Sequence, residues 1–232
     1  VLLRLLTYNI HAMRDDGDAV VRVIRSAAPD VVCIQESQRF LRWRSHAAAL
    51  ARRTGLLMVT GGRPAAGNLL LTSMSVDVEI SWDVLLTPEP GLHRRGAAVA
   101  LLSRDGVQFG VAGTHLDLRE APRLRHVAEL RRVVGDLIPA EAPSVLAGDV
   151  NAPPGSPSWT ALTADRVDVA ALHAQRSGAE PGLTYSAAHP QRRIDGIFAG
   201  AGIEVQSCEV LDSADTALGS DHRPVLAQLR IG

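Results

Sequence analysis

The stretch that most constrains this chain is Val145-Leu146-Ala147-Gly148-Asp149-Val150-Asn151, an apolar run closed by a glycine, a carboxylate and a carboxamide. Four aliphatic or small residues in succession read as a strand buried on both faces, and Gly148 with Pro153-Pro154-Gly155 marks its end. Polar chemistry therefore sits at the tip of a core strand. Asp149 and Asn151 are two residues apart, so in continued strand geometry both point to one face. A carboxylate beside a carboxamide suits holding a water and steadying an oxyanion; the same pair also suits a turn.

The same design repeats along the chain. Leu2 to Ile10 reads as a first strand that delivers Asn9, and Ala19, Val20, Val23, Ile24 and Ala27 then mark a helix, with Asp18 as N-cap and Pro29 as its stop. A second strand, Asp30 to Ile34, ends in Gln35-Glu36. A carboxylate at a buried strand edge is costly unless it is paired or bound to a cation. Trp43, Ala47, Leu50 and Ala51 predict a helix closed by Gly55.

Strands are expected at Leu56–Thr60, Asn68–Thr72, Val76–Leu86 and Gly96–Ser103, with Gly61-Gly62-Arg63-Pro64 as a loop and His93-Arg94-Arg95 opening the last of them. Val107 to Gly113 is another strand and delivers Thr114-His115-Leu116. Pro122 to Leu137 is an amphipathic helix whose arginine-rich outer face reads as solvated. Ser156-Pro157 starts a short helix through Leu162. Arg192 to Phe198 reads as a strand with one buried acid, Asp195, Ile203 to Leu211 as another, and Ser220-Asp221-His222-Arg223-Pro224-Val225 opens the last.

Composition narrows the chemistry. The 232 residues read as one domain, 1–232, and a net charge of −1 with 46% hydrophobic residues gives no global pull toward nucleic acid or anionic membrane. There is no lysine. Walker-A nucleotide binding, the kinase phosphate-pairing lysine and Schiff-base catalysis are therefore excluded. The sequence has neither a G-x-S-x-G elbow nor a G-x-G-x-x-G loop, and its two cysteines have no metal-site spacing. No apolar run is long enough for a membrane span, and Val1 leads directly into the first strand pattern. A soluble, monomeric protein is expected, cytoplasmic unless a leader has been removed.

Asn9, Glu36, His115, Asp149, Asn151 and Asp221-His222 all fall where an apolar strand meets a loop. Oxygen ligands without a cysteine cluster suit Mg²⁺ or Mn²⁺, and two histidines are left for proton transfer or oxyanion stabilisation. Phosphoryl transfer fits that equipment.

Taken in order, Thr7-Tyr8-Asn9, Gln35-Glu36, Arg95-Gly96, Thr114-His115-Leu116, Gly148-Asp149-Val150-Asn151, Arg193-Ile194-Asp195 and Ser220-Asp221-His222-Arg223-Pro224-Val225 resemble the motifs of the endonuclease/exonuclease/phosphatase superfamily, the deoxyribonuclease I-like fold. The resemblance implies an α/β fold of four layers, two mixed β-sheets face to face with helices outside. It also implies roles by position. Glu36, with Asn9 and Asp221, would hold a divalent metal, Mg²⁺ or Mn²⁺, on the phosphate. Asp149 would position and activate the attacking water, with Asn151 orienting Asp149 and the phosphate oxygen. Asp195 would fix the tautomer of His222, and His222 and His115 would donate to phosphate oxygens. Arg95 and Asn68 are expected to contact substrate.

With a histidine at position 115 the chain resembles the branch with deoxyribonuclease I, sphingomyelinases and inositol or sugar phosphatases more than the apurinic nucleases, and Gly196 departs from the family's pattern, in which an aromatic residue is common there. The expected substrate is a phosphodiester or phosphomonoester. A DNA or RNA nuclease is the leading specific alternative, with Arg39, Arg42, Arg44 and Arg63 on one rim, although only 3% of residues are aromatic. A non-catalytic phosphate- or metal-binding domain is the alternative of another class.

Overall fold

The computed structural model describes residues 1–232. Its strands are β1 (Leu2–Asn9), β2 (Val31–Gln35), β3 (Leu57–Gly62), β4 (Asn68–Thr72), β5 (Asp77–Leu85) and β6 (Gly96–Arg104). They continue with β7 (Val107–His115), β8 (Ser144–Asp149), β9 (Val167–Asp168), β10 (Asp195–Ala199), β11 (Ile203–Val210) and β12 (Val225–Ile231). The helices are α1 (Gly17–Ala27), α2 (Trp43–Thr54), α3 (Glu120–Leu137), α4 (Pro157–Leu162), α5 (Val169–Ser177) and α6 (Ala214–Gly219).

Two six-stranded sheets result, ordered β11-β12-β1-β2-β4-β3 and β5-β6-β7-β8-β10-β9. Each is mixed. The parallel pairs, β1 with β2 and β7 with β8, need crossovers, and α1 and α3 supply them. Period-two alternation then sorts the side chains into layers. Leu3, Leu5, Val31 and Cys33 of the first sheet pack in one core with Val111, Val145, Ala147 and Ile197 of the second. Leu6, Tyr8, Val32 and Ile34 face the other way, onto Val20, Ile24 and Leu50 of α1 and α2. On the far side, Ala112, Leu146 and Phe198 pack against Val127, Leu130 and Trp159 of α3 and α4. The layers are helix, sheet, sheet, helix, which is the α/β sandwich expected.

The alternation also places the site. Following Leu3 and Leu5, the next members of the inward series in β1 are Thr7 and Asn9; following Val145 and Ala147 in β8 comes Asp149. The polar residues are thus the last rungs of core-facing ladders.

Several local expectations are corrected. The N-cap of α1 is Asp16, whose carboxylate accepts from the N–H groups of Asp18 and Ala19. Gly61 and Gly62 belong to β3 rather than a loop, since they pair with Leu69 and Asn68. Helix α3 begins at Glu120, and its arginine-rich face is not wholly solvated, because Arg123 and His126 are buried. Residues 192–194 precede β10 instead of forming it. Gly196 leaves room for Trp159, since a Cβ there would lie 2.9 Å from its ring. No helix is long and apolar enough to cross a membrane.

Candidate active site

Strand register brings the site together. Asp149 pairs with Asp195 across the antiparallel β8–β10 ladder and with His115 across the parallel β7–β8 ladder, so three strands present one row. The other sheet answers from above: the Asn9 amide donates to Asp149 Oδ2 at 3.1 Å and to Glu36 Oε1 at 3.3 Å. Of these groups, Glu36, His115 and Asp149 line a cleft of about 700 Å³. Arg95, Asn151, Asp221 and His222 line it as well.

Tight backbone geometry supports this row. A Cβ on Gly148 would lie 1.9 Å from the Thr114 carbonyl oxygen, so only glycine lets β7 and β8 approach here. Four residues lining the cleft, Ala12, Glu36, Ala66 and Asn151, adopt left-handed backbones at φ 54°, 54°, 56° and 56°. Strain of that kind costs about 1 kcal/mol or more per residue and gathers at functional sites. At Glu36 it turns the chain as β2 ends and carries the carboxylate into the cleft.

Asn151 is reached by a turn, not by continued strand. Its N–H donates to Asp149 Oδ1 at 2.9 Å, and its side-chain amide donates to the Leu116 carbonyl at 3.0 Å and lies 2.9 Å from His115 Nε2. One residue therefore fixes both the carboxylate and the imidazole. His115 Nε2 is also 3.3 Å from Asp149 Oδ2. Burial, with Arg95 and His222 nearby, keeps His115 well below the usual histidine range and hence neutral.

His222 lies on the opposite side of Asp149. Its Nδ1 donates to Asp195 Oδ2 at 2.9 Å, and its Nε2 faces Asp149 Oδ2 at 3.7 Å. Asp195 is in turn placed by Thr184, whose hydroxyl accepts the N–H groups of Ile194 and Asp195. Burial opposes a charged His222, but Asp195 and then Asp149 outweigh it and raise it to about 10. Burial, reinforced by Asp195, pushes Asp149 up to about 7.

Both shifts favour the proton-bound form in the folded state. Their stabilisation is present below the unfolded values of 6.5 and 3.8 and is lost as pH rises through about 10 and about 7. In EDTA, the melting temperature is expected to fall by roughly 5 °C or more between pH 6.5 and 10. Asp195→Asn removes the main group raising His222, so its profile should be flatter over that window. Equal slopes in the two proteins would contradict the assignment.

Arg95 is nearly buried, with Nε 3.7 Å from Asp117 Oδ2 and no hydrogen-bond partner on that nitrogen. Asn68, expected to meet substrate, does not reach the cleft. Its amide is spent on the carbonyls of Ala65 at 2.8 Å and Gly96 at 2.9 Å, which tie β4 to β6. Arg39 does line the cleft, whereas Arg42, Arg44 and Arg63 do not.

Glu36 and Asp221 carry the chemistry of a hard-cation site. Glu36 has no arginine partner, its one side-chain hydrogen bond coming from Asn9, and Asp221 meets only the Ser220 hydroxyl at 3.5 Å and the His11 ring at 3.9 Å. Two cleft carboxylates without a counter-charge fit a divalent ion. Asn9 sits between carboxylates as a donor, its oxygen already accepting from the His11 N–H. Asp149, Asp195 and His222 also bring ligand atoms within 4.8 Å of one another. Both Asp195 oxygens, however, already contact His222 Nδ1, at 3.2 and 2.9 Å.

Sequence reasoning passed over Tyr185, Arg192 and Arg123. Tyr185 packs on His222 with ring centroids 5.0 Å apart, and the Arg192 guanidinium lies 5.2 Å from the Tyr185 ring. The available signal for Tyr185 was its place directly after Thr184. Arg123 is buried behind Asn151 and carried no local signal, because an arginine at helical spacing reads as surface.

Comparison with known structures shows where else this architecture occurs. An endonuclease/exonuclease/phosphatase from Bacteroides vulgatus superposes with a TM-score of 0.83 at 22% identity, covering 100% of each chain. The mannosyl-6-phosphatase Bt3783 of Bacteroides thetaiotaomicron gives 0.82 at 17% identity, over 99% of this chain and 100% of that one. D. rerio TDP2, complexed with a single-strand DNA product, gives 0.75 at 17% identity over 99% of both chains. No curated protein sequence matches the chain. The family model described as Endonuclease/Exonuclease/phosphatase family matches residues 6–222, a span that opens in β1 ahead of Asn9 and closes on His222, and the chain belongs to that family.

Proposed function

We propose that this protein hydrolyses a phosphodiester or phosphomonoester by in-line attack of a water positioned by Asp149, in a reaction that needs a divalent metal. One observation carries the reading. Asp149 is a fully buried carboxylate with no arginine partner, set between two imidazoles at the floor of an open cleft. Such a group is held for a reaction rather than for stability.

The division of labour follows from the contacts. Asp149, raised to about 7, is poised to accept a proton from water near neutral pH. Asn9 and the Asn151 N–H aim its two oxygens. His222, kept protonated by Asp195, and the Arg95 guanidinium, which lines the cleft, donate to phosphate oxygens as charge builds on them. His115, fixed by Asn151, stands beside Asp149 as a neutral hydrogen-bonding group. Glu36, steadied by Asn9, and Asp221 would hold Mg²⁺ or Mn²⁺, which would supply positive charge against the phosphate. The phosphatase and the DNA-bound protein among the similar structures support phosphate-ester chemistry without choosing the ester.

The test is hydrolysis of bis(p-nitrophenyl) phosphate, p-nitrophenyl phosphate and supercoiled plasmid with Mg²⁺ or Mn²⁺. EDTA should abolish turnover. Glu36→Gln should raise the metal concentration needed for half-maximal rate by roughly tenfold or more. Turnover that survives EDTA, or a Glu36→Gln protein with unchanged metal demand, would refute the metal assignment. No turnover on any ester would favour a domain that only binds phosphate.

A further inference from the structure

The mouth of the cleft is apolar, although its floor is among the most polar places in the protein. Phe40 is 79% exposed and Leu41 87% exposed on the segment joining β2 to α2. Leu118, 73% exposed, stands on the segment joining β7 to α3. All three line the cleft that holds Asp149. Large apolar side chains gathered in water mark a surface built to be covered.

The first segment is pinned rather than free to fold its apolar groups away. Trp43 packs over Gly62, where a Cβ would lie 2.4 Å from the indole, and the Arg44 guanidinium covers the ring at 4.4 Å. Phe40 and Leu41 are therefore presented outward. Their charged neighbours have one sign: Arg39, Arg42 and Arg44 flank them, and no acidic residue occurs between Glu36 and Asp77. Arg14 and Arg192 line the same cleft from other elements.

Exposed apolar groups ringed by arginine match an anionic lipid surface, where the apolar tips enter the headgroup region and the guanidinium groups meet phosphate. Single-stranded nucleic acid is a poorer match. Stacking platforms need aromatic faces, and Leu41 and Leu118 have none. We infer that the mouth of the cleft docks on an anionic lipid surface and that the ester delivered to Asp149 is a phospholipid headgroup. The second half rests on the phosphoesterase reading above; the docking does not.

The two halves separate in experiment. Cosedimentation in EDTA, with vesicles of phosphatidylcholine alone or mixed with phosphatidylglycerol, reads docking without catalysis. The protein should bind the anionic vesicles and release them as salt rises. Phe40→Ser/Leu41→Ser/Leu118→Ser, checked by circular dichroism for an unchanged fold, should weaken binding by roughly tenfold or more. Absence of vesicle binding, or a triple variant that binds as well as the parent, overturns the docking. So does a triple variant that loses affinity for a single-stranded oligonucleotide while the parent ignores vesicles, which would assign the mouth to nucleic acid.

For the substrate, the rate on dihexanoyl phosphatidylglycerol should climb steeply once its concentration passes the micellar threshold. Turnover of bis(p-nitrophenyl) phosphate with none on the phospholipid overturns the headgroup assignment and leaves the phosphoesterase reading standing. No turnover on either ester overturns that reading instead, while vesicle binding still decides the docking.

Discussion

Asp149→Asn is expected to lower kcat for phosphate-ester hydrolysis by about 10²–10⁴-fold while the protein stays folded. An asparagine keeps an oxygen for one of the two donors that reach this side chain, the Asn151 N–H at Oδ1 or the Asn9 amide at Oδ2. It removes the negative charge and with it the ability to take a proton from water. Because burial and Asp195 already work against ionisation here, the relief of that charge offsets the one acceptor lost, and the neutral isostere should keep the metal-free melting temperature within a few degrees of the parent, roughly 1–2 kcal/mol at most. Steady-state kinetics and a thermal melt in EDTA give both quantities. Loss of activity with a large drop in melting temperature would make Asp149 a structural residue, and unchanged kcat would remove it from the mechanism.

Arg123→Ala should produce the largest loss of stability of any single substitution near the cleft, about 3–5 kcal/mol. The guanidinium is buried in the first turn of α3 and gathers chain from three directions. Its Nη1 donates to the carbonyls of Asp117 at 2.9 Å, Leu118 at 3.0 Å and Asn151 at 2.8 Å, and Nε reaches the Ser158 hydroxyl at 3.0 Å. Glu120 pairs with the remaining nitrogen. Truncation leaves these acceptors without their donor. Arg123→Lys should recover little, since a single ammonium cannot span a planar fork of contacts. Urea denaturation measures the loss, and kcat at a temperature where the variant is folded should fall as well, because the Asn151 turn is no longer held. A cost below about 1 kcal/mol would show that the loop stands without its clamp.

The contrast between these two residues explains what the sequence could and could not convey. Asp149, Asp195, His115 and Asn9 were legible because a strand's period of two is short and local: apolar rungs followed by a polar one announce a core-facing edge. Register then did the rest, and register follows from the same alternation. Arg123 obeys no such rule. Its spacing within α3 is that of a surface arginine, and its burial depends on where Asp117, Asn151 and Ser158 come to lie, which is tertiary information.

Asn68 fails for a related reason. A carboxamide opening a strand looks the same whether it faces a cleft or ties two strands together, and here the carbonyls of Ala65 and Gly96 claim it. Asn151 shows the opposite case. The spacing from Asp149 suggested continued strand, yet the left-handed turn brings it to the same neighbourhood by another path. Short elements such as α5 and α6 were not read at all, because their few apolar positions cannot establish a period.

The contact between Asn9 and Asp149 is made across the sandwich, by residues of different sheets. No single sheet therefore owns the reaction centre. Its dimensions are set by the thickness of the hydrophobic filling, which is thin in places: a Cβ on Gly113 would stand 3.1 Å from the Cβ of Cys33. Volume added or removed in that filling acts as a spacer on the reacting groups at the rim. Residues that never meet substrate thereby help to set the rate, and the freedom of the core to drift in size is limited by chemistry as well as by packing.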